Sequence, residues 1–151
     1  MTTIRTLRGR PHPLGVSAAA DGLNFALLCR HGTSVWLDVY PLDEGNVQPI
    51  TEIRLHPRFN RTGDHWHVLI SGLPSGFRYG WRVDGPSGDG HRYNPPRILP
   101  DPAATMLSEG AIWGGTCETN PERTGRRSIY CRGPRYEWGD DLPPLIPLED
   151  T

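Results

Sequence analysis

A chain of 151 residues with a net charge of −1 and a negative mean hydropathy has room for one ordinary domain and some irregular tail. The near-neutral charge excludes a general pull toward nucleic acid or anionic lipid. No window approaches the roughly 18 consecutive apolar residues that a membrane-spanning helix needs. Met1 to Pro13 carries Arg5, Arg8 and Arg10 without an apolar stretch behind them, which predicts no secretory leader and a cytoplasmic location. Cys29, Cys117 and Cys131 are odd in number and lack Cys-x-x-Cys spacing. They read as reduced thiols, with Cys29 packed in a strand, and not as a disulfide framework or zinc site.

Eighteen Gly and sixteen Pro work against long helices, because Gly weakens them and Pro breaks them. Leu23 to Cys29 follows Asp21-Gly22 and ends at His31-Gly32, a strand between two turns. Ser34 to Tyr40 alternates, with Val35, Leu37 and Val39 on one face and Trp36, Asp38 and Tyr40 on the other, the period of a half-buried strand. Thr51 to His56 repeats the pattern with Ile53 and Leu55 inward. His65 to Ser71 places Trp66, Val68 and Ile70 together. After the Leu73-Pro74-Ser75-Gly76 turn, Arg78 to Asp84 places Tyr79, Trp81 and Val83 on one side. Strands at this spacing predict an antiparallel sandwich.

Beyond Pro86 the character changes. Ser87 to Gly90 reads as a flexible loop, and Tyr93-Asn94-Pro95-Pro96 as a stiff turn. Ala103 to Glu109 could hold a turn or two of helix, and Ser128 to Arg132 a last strand. From Gly133 onward, Pro134, Pro143, Pro144 and Pro147 force an extended linker. The expected division is a flexible N-terminus over 1–12, a β-sandwich module over 13–105, an irregular extension over 106–132, and a linker over 133–151.

Chemistry is scarce. Asp140-Asp141 is the one adjacent pair of aspartates, and in extended chain neighbouring side chains point to opposite sides. They cannot face each other about 5 to 5.5 Å apart, as the two carboxyl groups of a retaining glycosidase do. His65 and His67, with His56 on the preceding strand, lack a supporting carboxylate or cysteine motif, so no metal and no cofactor are expected. No Gly-x-Ser-x-Gly elbow occurs, Gly88 to Gly90 makes a poor phosphate cradle, and no basic stripe marks a nucleic-acid binder. No catalytic residue is assigned.

The order of signals carries a resemblance. Pro13-Leu14-Gly15 followed by Asp21-Gly22-Leu23-Asn24-Phe25-Ala26-Leu27 resembles the "PLGA…DGVNFALFS" opening of bacterial glycogen-debranching enzymes and isoamylases. Asp64-His65-Trp66-His67, Tyr79-Gly80-Trp81-Arg82-Val83-Asp84-Gly85-Pro86 and Gly90-His91-Arg92-Tyr93-Asn94-Pro95 are similar to that family's "D-x-W-H", "YGYRVHGP" and "GHRFNP". Trp138-Gly139-Asp140-Asp141 and Pro147 to Thr151 look like its connector. The resemblance implies an all-β, immunoglobulin-like (early-set) antiparallel sandwich, grouped with the family 48 carbohydrate-binding modules. It also implies an α-amylase-type (β/α)8 barrel beyond Thr151 that carries the catalytic acids and cleaves α-1,6 branch linkages.

Related glycogen-binding modules use a Trp in the loop after the second strand, a Lys on the strand of the "YKF" motif, and a Trp past the "VDG" turn. Here Pro41 to Pro49 contains no aromatic residue, Gly80 stands at the Lys position, and Tyr93 is the nearest aromatic beyond Asp84-Gly85. Tyr93, with His91 beside it, is therefore the candidate glucan contact. One aromatic contributes about 0.5 to 1.5 kcal/mol beyond area burial, whereas millimolar affinity needs about −4 kcal/mol net. Glucan binding by the chain alone is expected to be weak. Asn94, Pro95, Trp113 and Trp138 are the candidate contacts with the barrel. The expected function is a non-catalytic module that packs against and shapes that barrel. The alternative is an autonomous α-glucan-binding module, and a general adhesion domain is a weaker third reading.

Overall fold

The computed structural model describes residues 3–43, 45, 48–108, 126–133, 137 and 139–140. Their strands are β1 (Arg5–Leu7), β2 (Gly15–Ala19), β3 (Gly22–Leu28), β4 (Ser34–Pro41), β5 (Thr51–Arg54), β6 (Arg61–Thr62), β7 (His65–Ser71), β8 (Gly76–Asp84) and β9 (Ser128–Cys131). One sheet runs β1-β7-β3-β2, with β6 also on β7, and the other runs β5-β4-β8-β9. Every pairing is antiparallel. The described residues contain no helix long and apolar enough to cross a membrane.

The period-two pattern decides which side chains meet between the sheets. Phe25 and Leu27 of β3 and Trp66, Val68 and Ile70 of β7 face Val35, Leu37 and Val39 of β4 and Phe77, Tyr79, Trp81 and Val83 of β8. Phe25 bridges the layers, with its ring 5.5 Å from Tyr79 edge-on and 6.0 Å from Phe77. Removing each large apolar side chain from water contributes about 1.5–3 kcal/mol, so this interior fixes the register of the four central strands.

Both outer faces are covered as well, which simple alternation does not predict. Asn24 and His67 point away from the core, yet each is buried. The stretch expected as a flexible N-terminus lies over them. Beyond β1 it exchanges hydrogen bonds with Asn24, from Arg10 N to Oδ1 at 2.7 Å and from Nδ2 to Arg10 O at 3.0 Å. His67 donates from Nδ1 to Arg8 O at 2.8 Å, which leaves Nε2 to accept from the Thr62 hydroxyl at 2.8 Å. Gly9 has φ +76° and runs so close to Val68 that a Cβ would lie 2.7 Å from its carbonyl carbon, so glycine is needed there.

On the other sheet, Asp38 and Arg78 face outward and are buried too. Arg82 clasps Asp38 at 2.5 and 3.0 Å and reaches Glu52 at 3.2 Å. The Arg82 guanidinium also lies 5.5 Å from the Trp36 ring, with Arg54 at 5.4 Å. Trp36 is thus the middle rung of a ladder across β5, β4 and β8. Arg78 donates to the carbonyls of Pro41 and Asp43.

Residues 97–108 strap this sheet along β8. Leu99 and Trp81 exchange both backbone bonds at 2.8 Å. The Tyr79 hydroxyl donates to Asp101 Oδ2 at 3.1 Å, and Asp101 N donates to Ser128 Oγ at 2.7 Å. The helix expected over Ala103 to Glu109 is absent over 103–108. Leu107 bridges Ser128 instead, Ser108 N bonds to Arg127 O, and Ile129 N bonds to Met106 O. Pairing with the first residues of β9 satisfies these backbone groups in extended form, and a helix turn would leave that edge open.

Burial first, and then the Asp101 carboxylate, hold the Tyr79 phenol above its ordinary range. Its contribution to stability is fully present below about pH 10, the ordinary phenol value, and fades as pH rises beyond it. Tyr79→Phe should cost about 1–3 kcal/mol at pH 7 by stranding a buried carboxylate oxygen. In urea unfolding at pH 7 and pH 10.5 the variant should lose less stability with alkali than the parent chain. Parallel losses would contradict this assignment.

Candidate functional site

The strand end at Asp84 feeds a hairpin that returns toward the sandwich. Gly85 N bonds to Asp84 Oδ1 at 2.9 Å. His91 N bonds to Gly88 O at 2.9 Å, and the two residues between, Asp89 and Gly90, both have positive φ, 51° and 85°. Two such residues in succession mark a type I′ turn, for which Asp-Gly is a favoured pair. The loop expected to be flexible at Ser87 to Gly90 is therefore a tight hairpin turn. It returns the chain so that His91 stacks on Tyr93 at 5.7 Å and 23° and tilts against His31 at 5.0 Å.

Tyr93 lies over Gly85. A Cβ at Gly85 would meet three successive ring carbons at 2.5, 2.6 and 2.8 Å, distances that require approach from the ring face. The Tyr93 hydroxyl neighbours the Cys29 thiol. Burial raises the thiol above its ordinary range, and burial with the neighbouring thiol raises the phenol. Cys29 itself sits just past β3, where its N bonds to Asp64 O at 2.9 Å and its carbonyl accepts from Trp66 Nε1 at 3.3 Å.

These elements enclose a groove of about 430 Å³ between the end of β3, the outer half of β8 and the strap. Leu27, Leu28, Trp81, Val83, Leu99 and Pro100 supply its apolar lining, and Arg92, Asn94 and Arg97 its polar rim. Such a volume, mostly apolar with a few polar groups, is the usual form of a binding site. Trp81 is almost wholly buried, and its indole N–H has no hydrogen-bond partner among the described residues. A buried donor left unmet costs about 1–3 kcal/mol.

Of the residues singled out in the sequence, His91, Tyr93 and Asn94 line this one groove. Pro95 lies in the adjoining turn, closed by Arg97 N to Asn94 O at 2.9 Å. Trp113 and Trp138 lie outside the described residues. The three strand histidines do not converge. His67 is clamped as above, His65 meets His12 at 4.6 Å, and His56 Nδ1 accepts from Arg58 N and Phe59 N. No group of three metal-ligating side chains exists among the described residues. Sequence reasoning missed Leu27, Leu28, Leu99 and Pro100 as parts of a site, because only the fold brings residues 27 and 99 together.

The geometry separates two thiols. Cys29 is half-buried behind Tyr93, while Cys131 is exposed on β9. At pH 7.5 iodoacetamide should alkylate Cys131 at least roughly tenfold faster than Cys29. Tyr93→Ala, which opens the groove, should narrow the gap. Equal rates followed by mass spectrometry in the unaltered chain would contradict the burial of Cys29.

The family described as carbohydrate-binding module 48 (isoamylase N-terminal domain) matches residues 13–104. The chain is 39% identical over 150 residues to chloroplastic isoamylase 3 of Oryza sativa subsp. japonica, covering 94% of this chain and 19% of that protein. It is 34% identical over 157 residues to a glycogen debranching enzyme of Klebsiella pneumoniae, covering 95% of this chain and 22% of that protein. The fold matches the catalytic module of the glycogen-degrading pneumococcal virulence factor SpuA at a TM-score of 0.56 and 13% identity, over 82% of this chain and 17% of that one. It matches the group B streptococcal pullulanase SAP at 0.54 and 17%, over 79% and 14%. The chain thus spans about a fifth of the length of the curated relatives it matches, and it belongs to the carbohydrate-binding module 48 family of isoamylase N-terminal domains.

Proposed function

We propose that this chain is the non-catalytic N-terminal module of a larger cytoplasmic debranching glycosidase. The rest of that protein, an α-amylase-type barrel, would cleave α-1,6 branch linkages in glycogen or its limit dextrins. The module, an immunoglobulin-like sandwich over 13–105 with a linker over 133–151, packs against the barrel and shapes one side of its groove. The naming of the relatives as isoamylase and glycogen debranching enzymes supports the parent activity. No catalytic role is given to any residue of this chain.

One observation carries the view that the module does not grip glucan by itself. At Gly80, where related glycogen-binding modules place a lysine, an added Cβ would collide with Ile98 Cγ2 and lie 3.1 Å from Leu99 O. The strap occupies the space a longer side chain and a sugar would need. Nor is Tyr93 a free platform, since Gly85 and His91 already flank its ring.

The second reading, an autonomous α-glucan-binding module, draws on the groove itself, which His91 and Tyr93 line. A titration of the 151-residue chain with maltoheptaose, followed by Trp fluorescence, separates the two. No saturation is expected up to several millimolar, the range where net binding energy falls to about −4 kcal/mol. Saturation at micromolar concentration would overturn the scaffold reading.

A further inference from the structure

The groove has the chemistry of a protein interface more than that of a sugar site. Its rim is open and mixes exposed apolar side chains with cations. Leu28 is 55% exposed and Leu99 41% exposed, and both border the groove. Burying such side chains is favourable, whereas a glucan offers mainly hydroxyls. Arg92 and Arg97, also on the rim and exposed, have no ion-pair partner among the described residues. The Tyr93 ring is flanked by Gly85 and His91, so it offers no open face for stacking of a sugar ring.

We infer that this groove is the docking site for a polypeptide segment of the catalytic part of the parent protein. That segment seats an apolar side chain between Leu28 and Leu99 and carries at least one carboxylate toward Arg92 and Arg97. The inference rests on the functional reading above and adds to it the face and the chemistry of contact. The occupant is sought in the remaining polypeptide because the curated relatives are about five times as long as the part this chain matches. Arg is among the residue types that concentrate binding energy at interfaces, and rim cations select a partner by charge. His91 and Tyr93 thereby become supports of the interface wall, and not glucan contacts.

Hydroxyl-radical footprinting read by mass spectrometry tests the assignment on the 151-residue chain and on the complete parent enzyme. Leu28 and Leu99 should be labelled readily in the chain alone and about tenfold less in the parent enzyme, an effect of losing most of their exposed surface. Leu7, on β1 at the far edge of the same sheet as Leu28 and 52% exposed, is the internal reference. The double charge reversal Arg92→Glu with Arg97→Glu should restore labelling of both leucines in the parent enzyme, and should leave the melting temperature of the 151-residue chain within about 1 °C.

Equal labelling of Leu28 and Leu99 in the chain and in an active parent enzyme would overturn the docking assignment and leave the functional reading standing. Protection of the two leucines in the isolated chain on adding maltoheptaose would overturn it in favour of a glucan site. A parent protein without α-1,6-glucosidase activity would remove the functional reading, and this inference with it.

Discussion

The close approach of the strap to β8 is the constraint on which the rest of the structure depends. Only a glycine at position 80 lets Ile98 and Leu99 lie against the strand, and only that approach lets Leu99 and Trp81 exchange their two backbone bonds. From there Asp101 is carried to the Tyr79 hydroxyl and to Ser128. Ser128 in turn begins β9 at the open edge of β8. A segment without regular structure of its own thus closes the sheet edge, forms one wall of the groove and covers the outer position where related modules place a binding lysine. Edge closure and loss of that binding position are consequences of the same missing side chain.

A second theme is that a two-sheet sandwich normally shows water its outer faces, and this one hides much of both. Over β3 and β7 the N-terminal arm satisfies Asn24 and His67 through backbone groups. Over β4 and β8 the cover is ionic, with Asp38 held by Arg82 and Trp36 flanked by two guanidinium groups. Bidentate pairing suits Arg, whose planar fork fits a carboxylate and stacks on rings. A buried ion pair adds little net stability, because desolvation offsets much of the attraction. Its value here is registry, since Arg82 pairs with Trp36 across the strands and cannot reach Asp38 if β8 slips by one residue.

The core was legible because strands announce themselves by period two. Val35, Leu37 and Val39, then Trp66, Val68 and Ile70, then Tyr79, Trp81 and Val83 all turn inward as the alternation requires. Three short strands escaped notice. Arg5–Leu7, Gly15–Ala19 and Arg61–Thr62 hold few large apolar residues, and their pairing is decided by neighbours far along the chain. The expected helix near residue 105 failed for the same reason, as Ser128 outcompeted local propensity. Of the site, Tyr93, His91 and Asn94 could be singled out from a motif, while the wall from Leu27 to Leu28 and the roof at Leu99 to Pro100 could not. The Asp89-Gly90 pair did carry a hairpin signal, and it is what brings His91 back over Tyr93.

If the strap is a permanent part of the second sheet, the groove is a fixed wall and the outer face at Gly80 is closed. Native-state hydrogen exchange at the Leu99 amide tests this most directly, since that amide has only Trp81 O as its partner. The account predicts protection within about tenfold of the central β4–β8 amides, because the strap would open only with the sheet. Exchange of Leu99 at the rate of an unprotected loop, with β4 and β8 still protected, would show that the strap lifts on its own, and would contradict it.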